Sequence, residues 1–290
     1  MSIEAQMRFI HCDVFSARPY GGNGLAVFPD AGGLTAPEML AMTRELRHFE
    51  SIFLRQENGC VHARVFDLFE ELPFAGHPLI GAASTLAQVT GETAPIERNF
   101  VLSGGREVRV DTACEAGVWS GRLDQGRPAF GRTIDGADRT AFAEAFSLDD
   151  TDLAHAPMQV VSTGLEYLVV PVRQGLERAR IAVPDLGARL EAVGARFACL
   201  LDVEAFEIRH WNNDGVQEDV ATGSAAGTVA AWCRRHGLLG DGETRTLAQG
   251  RFLDRPSELH VRAHGDEHDV QRVSVTGDVA FVGEGRMVRP

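Results

Sequence analysis

FAGHPLIGAASTLAQ, residues Phe74 to Gln88, reads as a helix without a polar face. Pro78 suits the first turn of a helix, where its missing N–H costs nothing. From Pro78 to Gln88 small or apolar residues point in nearly every direction, and a helix apolar all round must be buried all round. Strands rather than solvent should therefore surround it. A second stretch repeats the pattern. EDVATGSAAGTVAAWCRRHG, Glu218 to Gly237, has a glycine-led turn opening a helix of small and apolar residues over Ser224–His236. Arg234 and Arg235 lie in its last turn and Gly237 just beyond it, as the helix dipole and the left-handed C-terminal position favour. Ala75-Gly76-His77 and Thr222-Gly223-Ser224 hold corresponding places in the two stretches. The shared order of strand, polar turn, glycine and buried helix indicates duplicated halves, joined between residues 122 and 150.

Around these helices the chain reads mostly as strands. Alternation and β-rich composition predict them over Met7–Phe15, Ile52–Leu54, Val61–Leu68, Tyr167–Val172, Phe206–Trp211 and Glu258–Val261, with a single strand over Ala113–Asp124. A last strand over Val273–Val282 is expected to turn at Gly277. Thr35, Pro37 and Glu38 form a helix start with capping-box spacing, for a helix reaching about Leu46. A connector and a polar helix fall within Asp135–Asp152. Leu186–Phe197 reads as an amphipathic helix.

The 290 residues suffice for two modest domains or one large one. A formal net charge of -13 repels phosphate backbones and anionic membranes, and no basic run offsets it, so nucleic acid is excluded as a partner. No run of 18 apolar residues spans a membrane. Met1–Met7 lacks the basic-then-apolar pattern of a signal peptide. Cys12, Cys60, Cys114, Cys199 and Cys233 are widely spaced, without a C-x-x-C pair, as in a reduced cytoplasmic protein.

The chemistry gathers at the helix starts. Each carries unpaired N–H groups and partial positive charge, so Gly76-His77 and Gly223-Ser224 supply two ends able to hold a carboxylate without lysine or arginine. If the halves face each other, both ends open into one cleft, and glycine lets a ligand approach the backbone. Glu50, His77 and Asp219 are suited to proton transfer there, and Ser224 to donating to a substrate oxygen. Plain structural readings stand beside these. Asp219 and Ser224 could cap a helix, His77 could be a cap or a satisfied buried histidine, and Glu50 alone reads as a surface charge at a strand edge. Gly21-Gly22-Asn23-Gly24 has neither dinucleotide-binding nor P-loop spacing, and His48 and His62 have no metal-ligand spacing, so no metal is expected.

Taken together, DVFSARPYGGNGLAVF, HFESIF, ELPFAGHPLIGAASTL, VVSTGLEYLVVPV, EDVATGSAAG and VAFVGEGRM resemble the PhzF-like isomerases of phenazine biosynthesis over essentially the whole chain. The resemblance implies the α+β fold of diaminopimelate epimerase: two similar domains, each a barrel-like sheet around a central helix. Boundaries are expected at 1–122 and 123–278, with residues 279–290 a candidate to pack on the first. It also implies a homodimer that needs no cofactor. Glu50 matches the family's catalytic glutamate, His77 its A-G-H-P histidine, and Asp219 and Ser224 the aspartate and serine of its D-P-A-T-G-S motif. In that family the glutamate moves a proton between ring carbons of trans-2,3-dihydro-3-hydroxyanthranilate, and tautomerisation of enol to ketone follows. Phe49 and Val220 depart from the family pattern, the first beside the base itself.

The expectation is thus a cofactor-independent isomerase shifting a proton on a small carboxylate. Glu50, His77 and Asp219 are its catalytic candidates, and Gly76, Gly223 and Ser224 its substrate-binding ones. An epimerase or racemase of amino acids is an alternative, but the positions where such enzymes place two facing cysteines are Ala75 and Thr222 here, and neither ionises. A small-acid-binding protein without turnover is the other alternative.

Overall fold

The structure is a computed structural model, and it describes residues 6–57 and 59–290. The signal-peptide reading of Met1–Met7 falls largely outside the described residues. The chain forms two compact units, one running through Asp124 and including Thr276–Pro290, the other spanning Gln125–Val275. No described helix is long and apolar enough to cross a membrane.

The first unit contains β1 (Gln6–Val14), β2 (Asn23–Phe28), α1 (Ala36–Leu46), β3 (Glu50–Glu57), β4 (Cys60–Asp67), β5 (Glu71–Leu72), α2 (Gly76–Thr90), β6 (Ile96–Leu102), β7 (Glu107–Glu115) and β8 (Val118–Gly126). Its strands run in the order β1-β2-β3-β4-β6-β7-β8, with β5 beside β4. The pairs β2–β3 and β4–β6 are parallel. The chain's last strand returns to lie antiparallel to β1, from Val14↔Val279 to Gln6↔Val288. Helix α2 is buried at every position from Gly76 to Ala87 and packs on β1, β2, β3, β6 and β7. A Cβ at Gly81 would lie 2.5 Å from Leu25 Cδ2 and 3.0 Å from Val14 Cγ2, so only glycine admits this approach of helix to sheet. On the other face, α1 covers Ala26, Phe28, Phe53 and Phe66. It begins with the expected capping box at Thr35, whose amide donates to Glu38 Oε2 at 2.7 Å.

The second unit contains β9 (Ala129–Ile134), α3 (Gly136–Ala145), β10 (Met158–Ser162), β11 (Glu166–Val172), α4 (Leu186–Ala192), β12 (Phe197–Asp202), β13 (Glu207–His210), α5 (Gly223–Arg235), β14 (Thr244–Gln249), β15 (Ser257–Gly265) and the start of β16 (Val270–Val288). Its strands follow the order β9-β10-β11-β12-β13-β14-β15-β16. Helix α5, buried from Ala225 to Cys233, packs on β10, β11 and β15. A separate apolar cluster joins Phe142 and Phe146, Leu186 and Leu190, and Leu168, Val170 and Trp211. Each unit is thus a sheet-dominated α+β body with one long buried helix.

Three sequence readings are corrected. Ala113–Asp124 is two strands, because Ala116 and Gly117 both adopt left-handed φ, 51° and 85°, and turn the chain between Glu115 and Val118. Leu186–Phe197 is a helix only as far as Ala192. Gly194, at φ 80°, releases the chain, and Phe197–Asp202 pairs in parallel with Tyr167–Val172. Gly277 is no turn, since β16 runs through it. A Cβ there would lie 2.3 Å from Cδ1 of Phe15, so glycine serves a close ring contact.

Asp152 ties the loop after α3 to the strand ends of the second unit. It is 1% exposed and accepts from the Asp149 amide at 2.8 Å, from Gln174 Nε2 at 3.1 Å and from Arg178. Burial alone would push its carboxyl up, but the hydrogen bonds from Arg178, Asp149 and Gln174 outweigh burial and hold it below the usual range. Asp152→Asn is expected to cost about 2 kcal/mol in urea unfolding at neutral pH. The contribution is fully present above the unfolded carboxylate value of about 4 and disappears as pH falls through the lower folded value. The wild-type advantage over the Asn variant should therefore shrink only in acid.

Candidate functional site

In the first unit the parallel β2–β3 pairing sets Glu50 opposite Leu25, and β4 sets Asp67 on its other side. Glu50 is the first residue of β3, yet it is only 8% exposed, which removes the reading of a surface charge. His77 is the second residue of α2 and 5% exposed. Its Nδ1 lies 3.3 Å from Glu50 Oε2. The N-cap of α2 is Ala75, so His77 is not the cap. A buried carboxylate in contact with an imidazole, at the positive end of a helix, can accept a proton and pass it on. A Cβ on Gly76 would lie 3.2 Å from Leu123 Cδ2, so this glycine also answers to packing.

In the second unit the N-cap of α5 is Thr222, and neither Asp219 nor Ser224 fills that position. Thr222 Oγ1 donates to Asp219 Oδ2 at 2.6 Å, and the Ala221 amide to Asp219 Oδ1 at 3.3 Å. Gln249 braces the turn, accepting from the Thr222 amide at 2.9 Å and donating to the Asp219 carbonyl at 2.9 Å. Asp219 is 7% exposed. Ser224, in the first turn of α5, lies 2.8 Å from the hydroxyl of Tyr167, oxygen to oxygen. Gln125 Nε2 donates to the carbonyl of Gly223 at 2.9 Å.

The sequence reading had missed Tyr167, His210, Gln125 and Gln249. Tyr167 and His210 lie in segments read only as strands, and pairing to β12 brings them together. The rings of Tyr167 and His210 meet edge to face at 5.4 Å. Burial pushes the His210 imidazole down, against the opposing pull of Asp219 and the Ala198 carbonyl. No local signal marks either glutamine.

All five cysteines are free thiols. Burial pushes Cys12 and Cys233 up to about 12, and raises Cys199 as well, so these three are poor bases at neutral pH. Among the described residues no group of three or more His, Cys, Asp or Glu side chains is arranged to hold a metal ion.

The sequence profile of the phenazine biosynthesis-like proteins matches residues 12–285. The trans-2,3-dihydro-3-hydroxyanthranilate isomerase of Pseudomonas aeruginosa is 31% identical, over 96% of this chain and 98% of its own. A Pseudomonas aeruginosa structure described as a predicted epimerase is 46% identical with a TM-score of 0.91, covering 98% of this chain and 100% of that one. A hydroxyproline epimerase of Agrobacterium vitis, with trans-4-hydroxy-L-proline bound, shares the fold at 13% identity and a TM-score of 0.65, over 99% of this chain and 94% of its own.

Proposed function

Because the chain belongs to the phenazine biosynthesis-like protein family and is an isomerase, we propose that it moves one proton between carbons of a small carboxylate without cofactor or metal. Glu50 takes the proton from the acidic carbon and returns it to another, so the substrate gains and loses nothing overall. His77, at 3.3 Å from Glu50, steadies the carboxylate and relays the proton. Asp219 orients the substrate's polar group. The Gly76 amide in the first unit, and the Gly223 amide with the Ser224 hydroxyl in the second, are the groups suited to holding a substrate carboxylate, each at a helix N-terminus. The contact between buried Glu50 and His77 is the observation that carries this reading.

The substrate we favour is trans-2,3-dihydro-3-hydroxyanthranilate or a close analogue, after the aligned Pseudomonas aeruginosa enzyme. The reading includes a homodimer in the cytoplasm, and two domains each wrapped barrel-like around its central helix. Free thiols suit a reducing compartment. Two-base epimerisation is less favoured despite the name of the 46% identical protein. Ala75 and Thr222 precede the helix-leading glycines, neither ionises, and the three buried thiols are pushed up.

Incubation of the wild-type protein with this compound in heavy water tests the reading by mass spectrometry and NMR. Isomerised product is expected, carrying a solvent deuteron at carbon wherever the proton held on Glu50 exchanges with solvent before its return. Inversion at an amino-acid α-carbon with deuteration would instead establish epimerisation.

A further inference from the structure

Tyr167 is 2% exposed, while Ser224 is partly open. Tyr167 is the only hydrogen-bond partner of the Ser224 hydroxyl among the described residues. Either oxygen can donate in this pair; a phenol, with a pKa of about 10, is the stronger acid, which favours Tyr167 as donor and Ser224 Oγ as acceptor. Serine has one hydroxyl proton, and in this arrangement no protein acceptor claims it.

The phenol is held in place by neighbouring rings. Phe197 lies 5.5 Å from the Tyr167 ring and 5.6 Å from His210, and His210 meets Tyr167 at 5.4 Å, so three rings form a closed triangle. His210 is itself anchored, its Nδ1 lying 2.8 Å from the Ala198 carbonyl oxygen. A carbonyl can only accept, so Nδ1 carries the proton. The triangle resists rotation of Tyr167 and thereby fixes the oxygen facing Ser224.

We infer that Tyr167, clamped by Phe197 and His210, is a positioning residue that turns the Ser224 hydroxyl proton toward an anionic oxygen of the substrate. The inference rests on the reading of Ser224 as a carboxylate-holding group. Tyr167 touches no reacting atom, and it acts on binding through Ser224. It makes the serine a committed donor, which favours an acceptor-only carboxylate over a neutral amide or an alcohol.

The test is a double-mutant cycle with trans-2,3-dihydro-3-hydroxyanthranilate, comparing wild type, Tyr167→Phe, Ser224→Ala and the double variant in the full chain. Circular dichroism checks that each is folded. Ser224→Ala should raise KM about 10-fold, and Tyr167→Phe about 3-fold with kcat within about twofold of wild type. The double variant should match Ser224→Ala alone, since the phenol has nothing left to orient. A merely structural tyrosine would instead multiply its effect onto that of the serine change. Multiplying effects, or an unchanged KM in Tyr167→Phe beside a raised KM in Ser224→Ala, would overturn the inference. An unchanged KM in Ser224→Ala would remove the parent reading of that serine.

Discussion

Glu50→Gln is expected to lower kcat about 1,000-fold and leave KM within a few-fold of wild type. Glutamine has the volume and shape of glutamate, can still hydrogen-bond His77, and cannot accept a proton from carbon at neutral pH. The site is buried, with Glu50 at 8% and His77 at 5% exposure, so water is poorly placed to substitute for the missing base. The groups proposed to hold the carboxylate, the helix-start amides and Ser224, are untouched by the change, so binding should survive. Turnover of trans-2,3-dihydro-3-hydroxyanthranilate and deuteron incorporation should fall together. Urea unfolding should stay within about 1 kcal/mol, because the packing volume is conserved. A rate within threefold of wild type would exclude Glu50 from the chemistry.

The largest loss of stability is expected for Trp232→Ala, about 4 kcal/mol in the second unit. Trp232 is 0% exposed on α5, and its Nε1 donates to the Pro157 carbonyl at 3.0 Å, just before β10. Its ring also lies 4.8 Å from that of His236 at the helix end. Alanine leaves a cavity the size of an indole and strips the Pro157 carbonyl of its donor. Trp232→Phe retains most of the volume and should lose about 1–2 kcal/mol, which separates the hydrogen bond from the cavity. Denaturant unfolding read by tryptophan-independent circular dichroism measures both. If the alanine variant unfolds within 1 kcal/mol of wild type, the close packing around α5 is refuted.

What was legible depended on the range of the interactions involved. A capping box spans four residues, so Thr35 and Glu38 announced the start of α1. Other signals misled for equally physical reasons. The helix over Leu186–Phe197 reads too long because Val193 and Phe197 continue the apolar face of Leu186 and Leu190, whereas Gly194 at φ 80° releases the chain. Ala116 in a left-handed conformation has no compositional signature, so a hairpin looked like one strand. Gly277 looked like a turn because glycine usually marks one, but here its missing side chain makes room for Phe15.

By itself the sequence determined that two helices with no polar side had to be enclosed by strands, because such helices cannot be wetted, and that each began at a glycine beside candidate polar residues. The tertiary structure alone decided which polar groups met. Parallel pairing of β2 with β3 put Glu50 within reach of a helix start 26 positions later in the chain. Pairing of β11 with β12 and β13 set Tyr167 against Phe197 and His210, and the packing of α5 laid Ser224 under the phenol. Local pattern encodes what must leave water, whereas long-range strand register and helix packing select which groups approach within a few ångströms.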